Sequence, residues 1–512
     1  MAGYSSHSST LFLLLLVVVS GWGGLSKCEA FGTFGFDVHH RFSDPVKGIL
    51  AVDELPEKGS VNYYAVMAHR DRLIRGRRLA SLEQQTPLTA LTFLNGNDTY
   101  RIEVLGFLHY ANVSVGTPAL SFLVALDTGS DLFWLPCDCT SCVHGLKSST
   151  GQIDFNIYST NTSSTASKVP CNNTLCARQT QCPSPNSNCP YQVRYLSNGT
   201  SSTGILVEDL LHLTSEDKQS KAVNAPITFG CGQVQTGSFL DGAAPNGLFG
   251  LGMADISVPS MLSKAGLASN SFSMCFGHDG IGRISFGDKG SANQSETPFN
   301  LRQTHPAYNV SISQISVGGN VADLEFSAIF DSGTSFTYLN DPAYTLISES
   351  FNTLALEERH SSDSGLPFEY CYDLSPNNKS FKYPIVSLTM KGGEKFLVND
   401  PVLVISMDSG DIYCLGVVKS EDVNIIGQNF MTGYRIVFDR EKMVLGWKAS
   451  DCFSRDEFNS LPVSPPKSKA FPPAISVNPE ATAIPTPGNG SPQLNPLTLA
   501  LVIFLFPVLI FS

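Results

Sequence analysis

The feature that most constrains this chain is an internal repeat: Asp127-Thr-Gly-Ser-Asp-Leu-Phe-Trp-Leu recurs as Asp331-Ser-Gly-Thr-Ser-Phe-Thr-Tyr-Leu. Each copy follows a short apolar run, residues 123–126 before the first and 328–330 before the second, and Trp134 aligns with Tyr338. Such a duplication predicts two similar halves that face each other and bring Asp127 and Asp331 to a shared seam. A single Asp-Ser-Gly carries little weight. Asp408-Ser409-Gly410 lacks the preceding apolar run and the trailing Ser or Thr, and it reads as a turn.

The surrounding sequence agrees with a two-lobed β protein. A chain of 512 residues exceeds what one small core organises. From about 105 to 452 it alternates short apolar runs with Gly, Pro and Asn, as in Val113-Ser114-Val115 before Gly116-Thr117-Pro118. Helical patterns are few: residues 257–265, with Pro259 in the first turn, and a stretch begun by Asp341-Pro342 with Tyr344, Ile347, Phe351 and Leu354 at helical spacing. The fold class expected is mostly β. A net charge of −12 leaves no basic footprint for nucleic acid and suits a soluble protein working at low pH.

The ends of the chain read as processing segments. The apolar run 11–19, followed by Ser26-Lys27-Cys28-Glu29-Ala30, predicts a secretory signal peptide over 1–30. Residues 31–100 are polar, with a basic stretch at 70–78 that includes Arg75, Arg77 and Arg78, and read as a prosegment; the bland reading of that stretch is a solvated helix. The lobes are expected at 101–295 and 296–455. A Pro- and Ser-rich stalk then covers 456–489. The uncharged apolar tail has no basic flank, so residues 490–512 fit a removable GPI-attachment signal better than a spanning helix. Asn489 is the expected attachment residue, with Gly488, Gly490 and Ser491 as the alternatives. These readings place the protein on the outer face of the plasma membrane, reached through the secretory pathway and released from it where the anchor is cut.

Without Cys28 the mature chain keeps Cys137, Cys139, Cys142, Cys171, Cys176, Cys182, Cys189, Cys231, Cys275, Cys371, Cys414 and Cys452. An even set in an oxidising compartment predicts up to six disulfides, and no second ligand pair accompanies Cys137, Cys139 and Cys142 to make a metal cluster. Glycosylation sequons stand at Asn97, Asn112, Asn161, Asn172, Asn198, Asn293, Asn309 and Asn378, and again at Asn489.

Asp127 and Asp331 carry the chemistry. Two carboxyls within hydrogen-bond reach cannot both ionise freely, so the pair holds one proton over an acidic range. One carboxylate then takes a proton from water while the other polarises a peptide carbonyl, with no metal, cofactor or nucleophilic side chain. Gly129 and Gly333 allow close backbone approach, so that amides point at the carboxylates. The hydroxyls of Thr128 and Ser332 are expected to tie the loops across the seam, and those of Ser130 and Thr334 to bond the outer carboxylate oxygens. No Gly-x-Ser-x-Gly elbow is present, and the glycines at 247–252 lack the Lys of a phosphate loop.

These residues resemble the pepsin-like aspartic proteases over about 105–452. The resemblance extends to an apolar-apolar-Gly element in each half, Leu248-Phe249-Gly250 and Ile425-Ile426-Gly427, and to a closing hairpin at 434–447 that contains Val437-Phe438-Asp439-Arg440. It implies a two-lobed, pseudo-twofold fold with a cleft between the lobes and protein or peptide substrates cut by a monomer. It also implies a flap whose tyrosine is Tyr195, Trp134 packed beside it at the substrate cleft, and a Cys371–Cys414 bridge. The flap reads Tyr195-Leu-Ser-Asn198-Gly, with a sequon where many relatives have a tighter Tyr-Gly turn. The cysteine-rich insertion 137–189 resembles the plant nepenthesin-like branch. The alternative is an inactive protein of this fold that binds or inhibits. Such proteins lose an Asp or its Gly, and here both loops are complete.

Overall fold

The computed structural model describes parts of residues 32–76, most of 109–452 and residues 475–477. The signal peptide, the basic residues Arg77 and Arg78, the apolar tail and the attachment residues Gly488, Asn489, Gly490 and Ser491 lie outside the described residues, as do Tyr195, Asn97, Asn198 and Asn378.

The fold is mostly β, as the alternating pattern predicts. Each Asp-[Ser/Thr]-Gly loop is set by the same three-strand arrangement. In the first half, strand Leu120–Asp127 runs parallel to Leu248–Gly250, with Gly250 opposite Asp127, and Leu248 also pairs antiparallel with Trp134. In the second, Asn320–Phe330 runs parallel to Ile425–Ile426, and Ile425 pairs antiparallel with Tyr338. The repeated sequence therefore folds into a repeated register. Alternation cannot mark the strand that ends at Asp127, because it is buried without interruption from Phe122 to Leu126.

The two halves share a foundation. A 14-stranded sheet takes strands from the first half and also the closing hairpin Tyr434–Asp439 and Val444–Ala449, whose first strand pairs antiparallel with Ser271–Phe276. Phe272 stacks on Phe438 at 4.8 Å, and one apolar core runs from Phe122 and Phe249 through these rings to Phe330 and Phe396. Buried Arg440 donates to Ser257 Oγ, Ser260 Oγ and the Met253 carbonyl, tying the hairpin to helix Val258–Lys264. The boundary expected between 295 and 296 falls inside strand Ser295–Pro298, which pairs with the closing hairpin. The expected helices form at Val258–Lys264 and Ala343–Leu354, the latter burying Tyr344, Ile347 and Phe351.

The twelve cysteines form six bridges: Cys137–Cys231, Cys139–Cys142, Cys171–Cys182, Cys176–Cys189, Cys275–Cys452 and Cys371–Cys414. Among the sequons, Asn112, Asn161, Asn172 and Asn293 are exposed. Asn309 is half-buried in strand Asn309–Val317, and its Oδ1 accepts a hydrogen bond from Asn300 Nδ2 at 2.9 Å.

The segment 31–100 is built into the body where it is described. Strand Phe34–His40 lies between Ile281–Phe286 and His109–Val115 in the large sheet. Helix Val61–Gly76 buries Tyr64, Met67, Ala68 and Asp71, so it is no solvated helix along that face. Burial lowers the affinity of the His39 imidazole for a proton below its ordinary value of 6.5, and the nearby Asp37 carboxylate opposes this in part. A lowered folded-state value means that the docked strand is favoured above the ordinary histidine range and loses stability as pH falls through it. His39→Gln, which cannot charge, is expected to flatten that loss. Amide exchange across Phe34–His40 at about pH 5 then slows relative to wild type, and equal pH dependence in the two proteins removes His39 as the cause.

Candidate active site

Asp127 ends its strand and Asp331 follows directly on Asn320–Phe330; both side chains are half-buried. Each carboxylate is held first by its own loop. Gly129 N–H donates to Asp127 Oδ1 at 2.9 Å, and Gly333 N–H donates to Asp331 Oδ1 at 2.8 Å. A Cβ placed on Gly333 would stand 3.0 Å from Asp331 Oδ1, close enough to press on the carboxylate that the Gly333 amide holds, and at an ordinary contact distance of 3.9 Å from Asp127 Oδ1. The seam is then stitched by hydroxyls: Thr128 Oγ1 donates to Asp331 Oδ1 at 3.4 Å and lies 3.3 Å from Ser332 Oγ.

The two loops differ in one detail. Thr334 Oγ1 donates to Asp331 Oδ2 at 2.6 Å, whereas Ser130 Oγ is buried and bonds nothing among the described residues. The expected Ser130 bond to the outer oxygen of Asp127 is therefore not made; the backbone carbonyl of Ser130 instead accepts Gly252 N–H at 2.8 Å. Thr334→Val is accordingly expected to lower kcat/KM about tenfold, by freeing one oxygen of Asp331, and Ser130→Ala to change it less. Steady-state rates of peptide cleavage by the two variants check this, and a larger loss in Ser130→Ala reverses the asymmetry.

Trp134 is fully buried, its ring 4.8 Å from Phe239 and packed with Tyr191 and Leu248. The large ring is thus part of a buried core cluster and not an open wall of a cleft. Sequence reasoning missed Tyr191, whose hydroxyl meets Ser202 Oγ at 2.8 Å and whose ring lies over Gly230, where a Cβ would come within 2.6 Å. The one available signal was a small residue at 230 on a buried strand. It also missed Asp131, whose Oδ1 accepts Ala254 N–H at 2.8 Å and braces the first loop. The sulfurs of Cys137, Cys139 and Cys142 are all spent in bridges, which leaves no thiolate cluster for a metal there.

The matched loops also identify the chain against known proteins. It matches the families described as xylanase inhibitor N-terminal over residues 109–288 and xylanase inhibitor C-terminal over 307–449. It is 62% identical over 515 residues to aspartyl protease family protein 1 of Arabidopsis thaliana, covering 99% of each chain. The chain belongs to the pepsin-like aspartic proteases of plants. To aspartic proteinase-like protein 1 of the same plant this family member is 41% identical, over 81% of its own chain and 80% of the other. To nepenthesin-1 of Nepenthes gracilis it is 27% identical, over 67% and 77%. Among solved structures, basic 7S globulin from soybean shares the fold at a TM-score of 0.54 and 22% identity, over 69% of this chain and 95% of that one. As a member of this family the protein is an aspartic endopeptidase, and both of its Asp-[Ser/Thr]-Gly loops are intact.

Proposed function

We propose that the protein is secreted, is held by a GPI anchor at the outer face of the plasma membrane, and hydrolyses peptide bonds of protein substrates at acidic pH with a water activated between Asp127 and Asp331. The observation that carries the catalytic part is the pair of carboxylates, each fixed by its own glycine amide and linked through Thr128. One carboxylate removes a proton from the water as its oxygen adds to the peptide carbonyl carbon, and the carboxyl of the other delivers its proton to the carbonyl oxygen. The tetrahedral diol then collapses: the C–N bond breaks, the nitrogen takes the proton held by the first acid, and a diol hydroxyl returns one to the second. The products are a carboxylic acid and an amine, and the pair again holds one proton. Fixed amides and hydroxyls around both acids hold this geometry without reorganisation during the reaction.

Anchoring rests on the uncharged tail at 490–512, the small residues 488–491 before it and the extended stalk of 456–489. Treating intact cells with a phosphatidylinositol-specific phospholipase is expected to release the protease into the medium with a C-terminus at or beside Asn489 by mass spectrometry. Protein that stays on the cells with residues 490–512 still present overturns the anchor. A binding or inhibitory role is the second reading, favoured by the inhibitor-named families that the chain matches. It is disfavoured by the completeness of both loops.

A further inference from the structure

One of the six bridges lies unlike the rest. Cys137–Cys231, Cys176–Cys189 and Cys371–Cys414 bury both partners, and Cys171–Cys182 and Cys275–Cys452 bury one. Cys139 and Cys142 are both partly exposed, at the end of strand Trp134–Ser141, and neither belongs to an apolar core cluster of the described residues. Their bridge spans 3 positions of sequence, where the others span 11 to 177. Closing so short a loop removes little freedom from the unfolded chain, so fold and bridge stabilise each other least here. Other bonds hold the same backbone. Asp138 N–H donates to Tyr158 O at 3.0 Å, Thr140 Oγ1 to Gln233 O and Ser141 Oγ to Gln235 O at 3.3 Å each, and Phe155 N–H to His144 O at 2.8 Å. Opening the bridge therefore leaves the strand end anchored, together with the hairpin of Gly145–Ser148 and Gly151–Asp154 that follows it.

An imidazole stands at one of the two sulfurs. His144 is exposed, and its Nε2 lies 3.6 Å from Cys142 Sγ. A bridged sulfur carries no hydrogen, so the ring N–H is the donor. This makes the two sulfurs unequal. A thiolate that arrives at Cys139 Sγ drives the bonding pair onto Cys142 Sγ, where the His144 N–H meets the new negative charge.

We propose that Cys139–Cys142 is a thiol–disulfide exchange site for small dithiols and disulfides, in which His144 favours Cys142 as the leaving sulfur, and that it opens and recloses while the other five bridges hold. Such an activity goes beyond peptide hydrolysis and does not rest on it. The incoming thiolate bonds to Cys139 Sγ, the bond between Cys139 and Cys142 breaks, and Cys142 leaves as a thiolate that takes a proton from solvent. The second thiol of the reductant then attacks the reductant's own sulfur in the mixed disulfide and expels Cys139, which is protonated in turn. The bridge has gained two electrons and two protons, and the dithiol, now a cyclic disulfide, has lost them.

The test uses the folded full chain. It is treated with dithiothreitol in the absence of denaturant, quenched at intervals with N-ethylmaleimide and mapped by mass spectrometry. Cys139 and Cys142 are expected to be labelled at least about tenfold faster than any other pair, and glutathione disulfide to reclose them. A Cys139–Cys142 bridge that opens with the others or after them overturns the exchange site. Two single variants, each first verified to hold the other five bridges, test the asymmetry. Cys139→Ser leaves Cys142 beside His144, and Cys142→Ser leaves Cys139. Iodoacetamide is expected to alkylate the free Cys142 at least about fivefold faster than the free Cys139, and His144→Gln in the Cys139→Ser protein to remove the difference. Equal rates in the two single variants, or no effect of His144→Gln, overturn the part given to His144.

Discussion

Asparagine at either catalytic position, Asp127→Asn or Asp331→Asn, is expected to lower kcat/KM for peptide cleavage at least about a thousandfold, or roughly 4 kcal/mol of transition-state stabilisation, with little change in Tm. The amide keeps an oxygen for Gly129 or Gly333 N–H, so the loop geometry survives. It can neither take a proton from water nor deliver one to the carbonyl oxygen. The two variants should be equally inactive, because the acids work as a pair and losing either removes the shared proton. Their double variant should be little worse than either alone. Cleavage of a denatured protein at mildly acidic pH, followed beside a thermal melt, separates this from unfolding. Wild-type rates in a folded Asp331→Asn protein would refute the paired-carboxyl mechanism, whereas a folded wild-type protein that cleaves nothing would leave the inactive binding fold as the better description.

The second large effect is expected at the glycines that close each catalytic loop. A Cβ on Gly250 would stand 2.3 Å from the Asp131 carbonyl group, and one on Gly427 would stand 2.1 Å from the Phe336 carbonyl oxygen. These are backbone atoms, so no rotamer change relieves the clash and the strand has to move. Gly427→Ala and Gly250→Ala should each cost about 3 kcal/mol or more and lower Tm by several degrees. Activity should fall further than stability alone dictates. Gly250 stands opposite Asp127 in the parallel register, and Asp331 N–H is anchored on the carbonyl of Ile426, the residue before Gly427. Displacing either strand therefore shifts a carboxylate. Denaturation midpoints and kcat measured on the same preparations check both halves, and a Gly427→Ala protein that melts with wild type refutes the packing argument.

Much of this was legible before any coordinates, and the reason is the duplication. One Asp-Thr-Gly is a turn, but two copies with matching apolar runs specify two loops and a common seam, and the hydroxyls of Thr128, Ser332 and Thr334 follow from their spacing. What escaped notice depends on distance along the chain. Asp71 accepts Ser335 Oγ–H at 2.9 Å although the two stand 264 positions apart, and neither sits in a periodic pattern that would mark it. Tyr191 and Gly230 meet only because two strands place a ring over a missing side chain. Ser130 misled for a local reason: the repeat makes it the counterpart of Thr334, yet its hydroxyl takes no matching bond. Trp134 was expected at the substrate cleft and is fully buried, because composition says nothing of whether a large ring faces a cleft or a core.

The placement of the closing hairpin has a consequence for how the protein is made. Strand Ser271–Phe276 receives its neighbour Tyr434–Asp439 only when the chain through the second half has left the ribosome, and Cys275 waits equally long for Cys452. Through most of synthesis, the first lobe carries an open sheet margin and an unmatched thiol, the kind of surface that draws foreign strands and wrong sulfur partners. A shortened transcript that stops before the hairpin should therefore yield aggregates and mixed disulfides, and not half an enzyme.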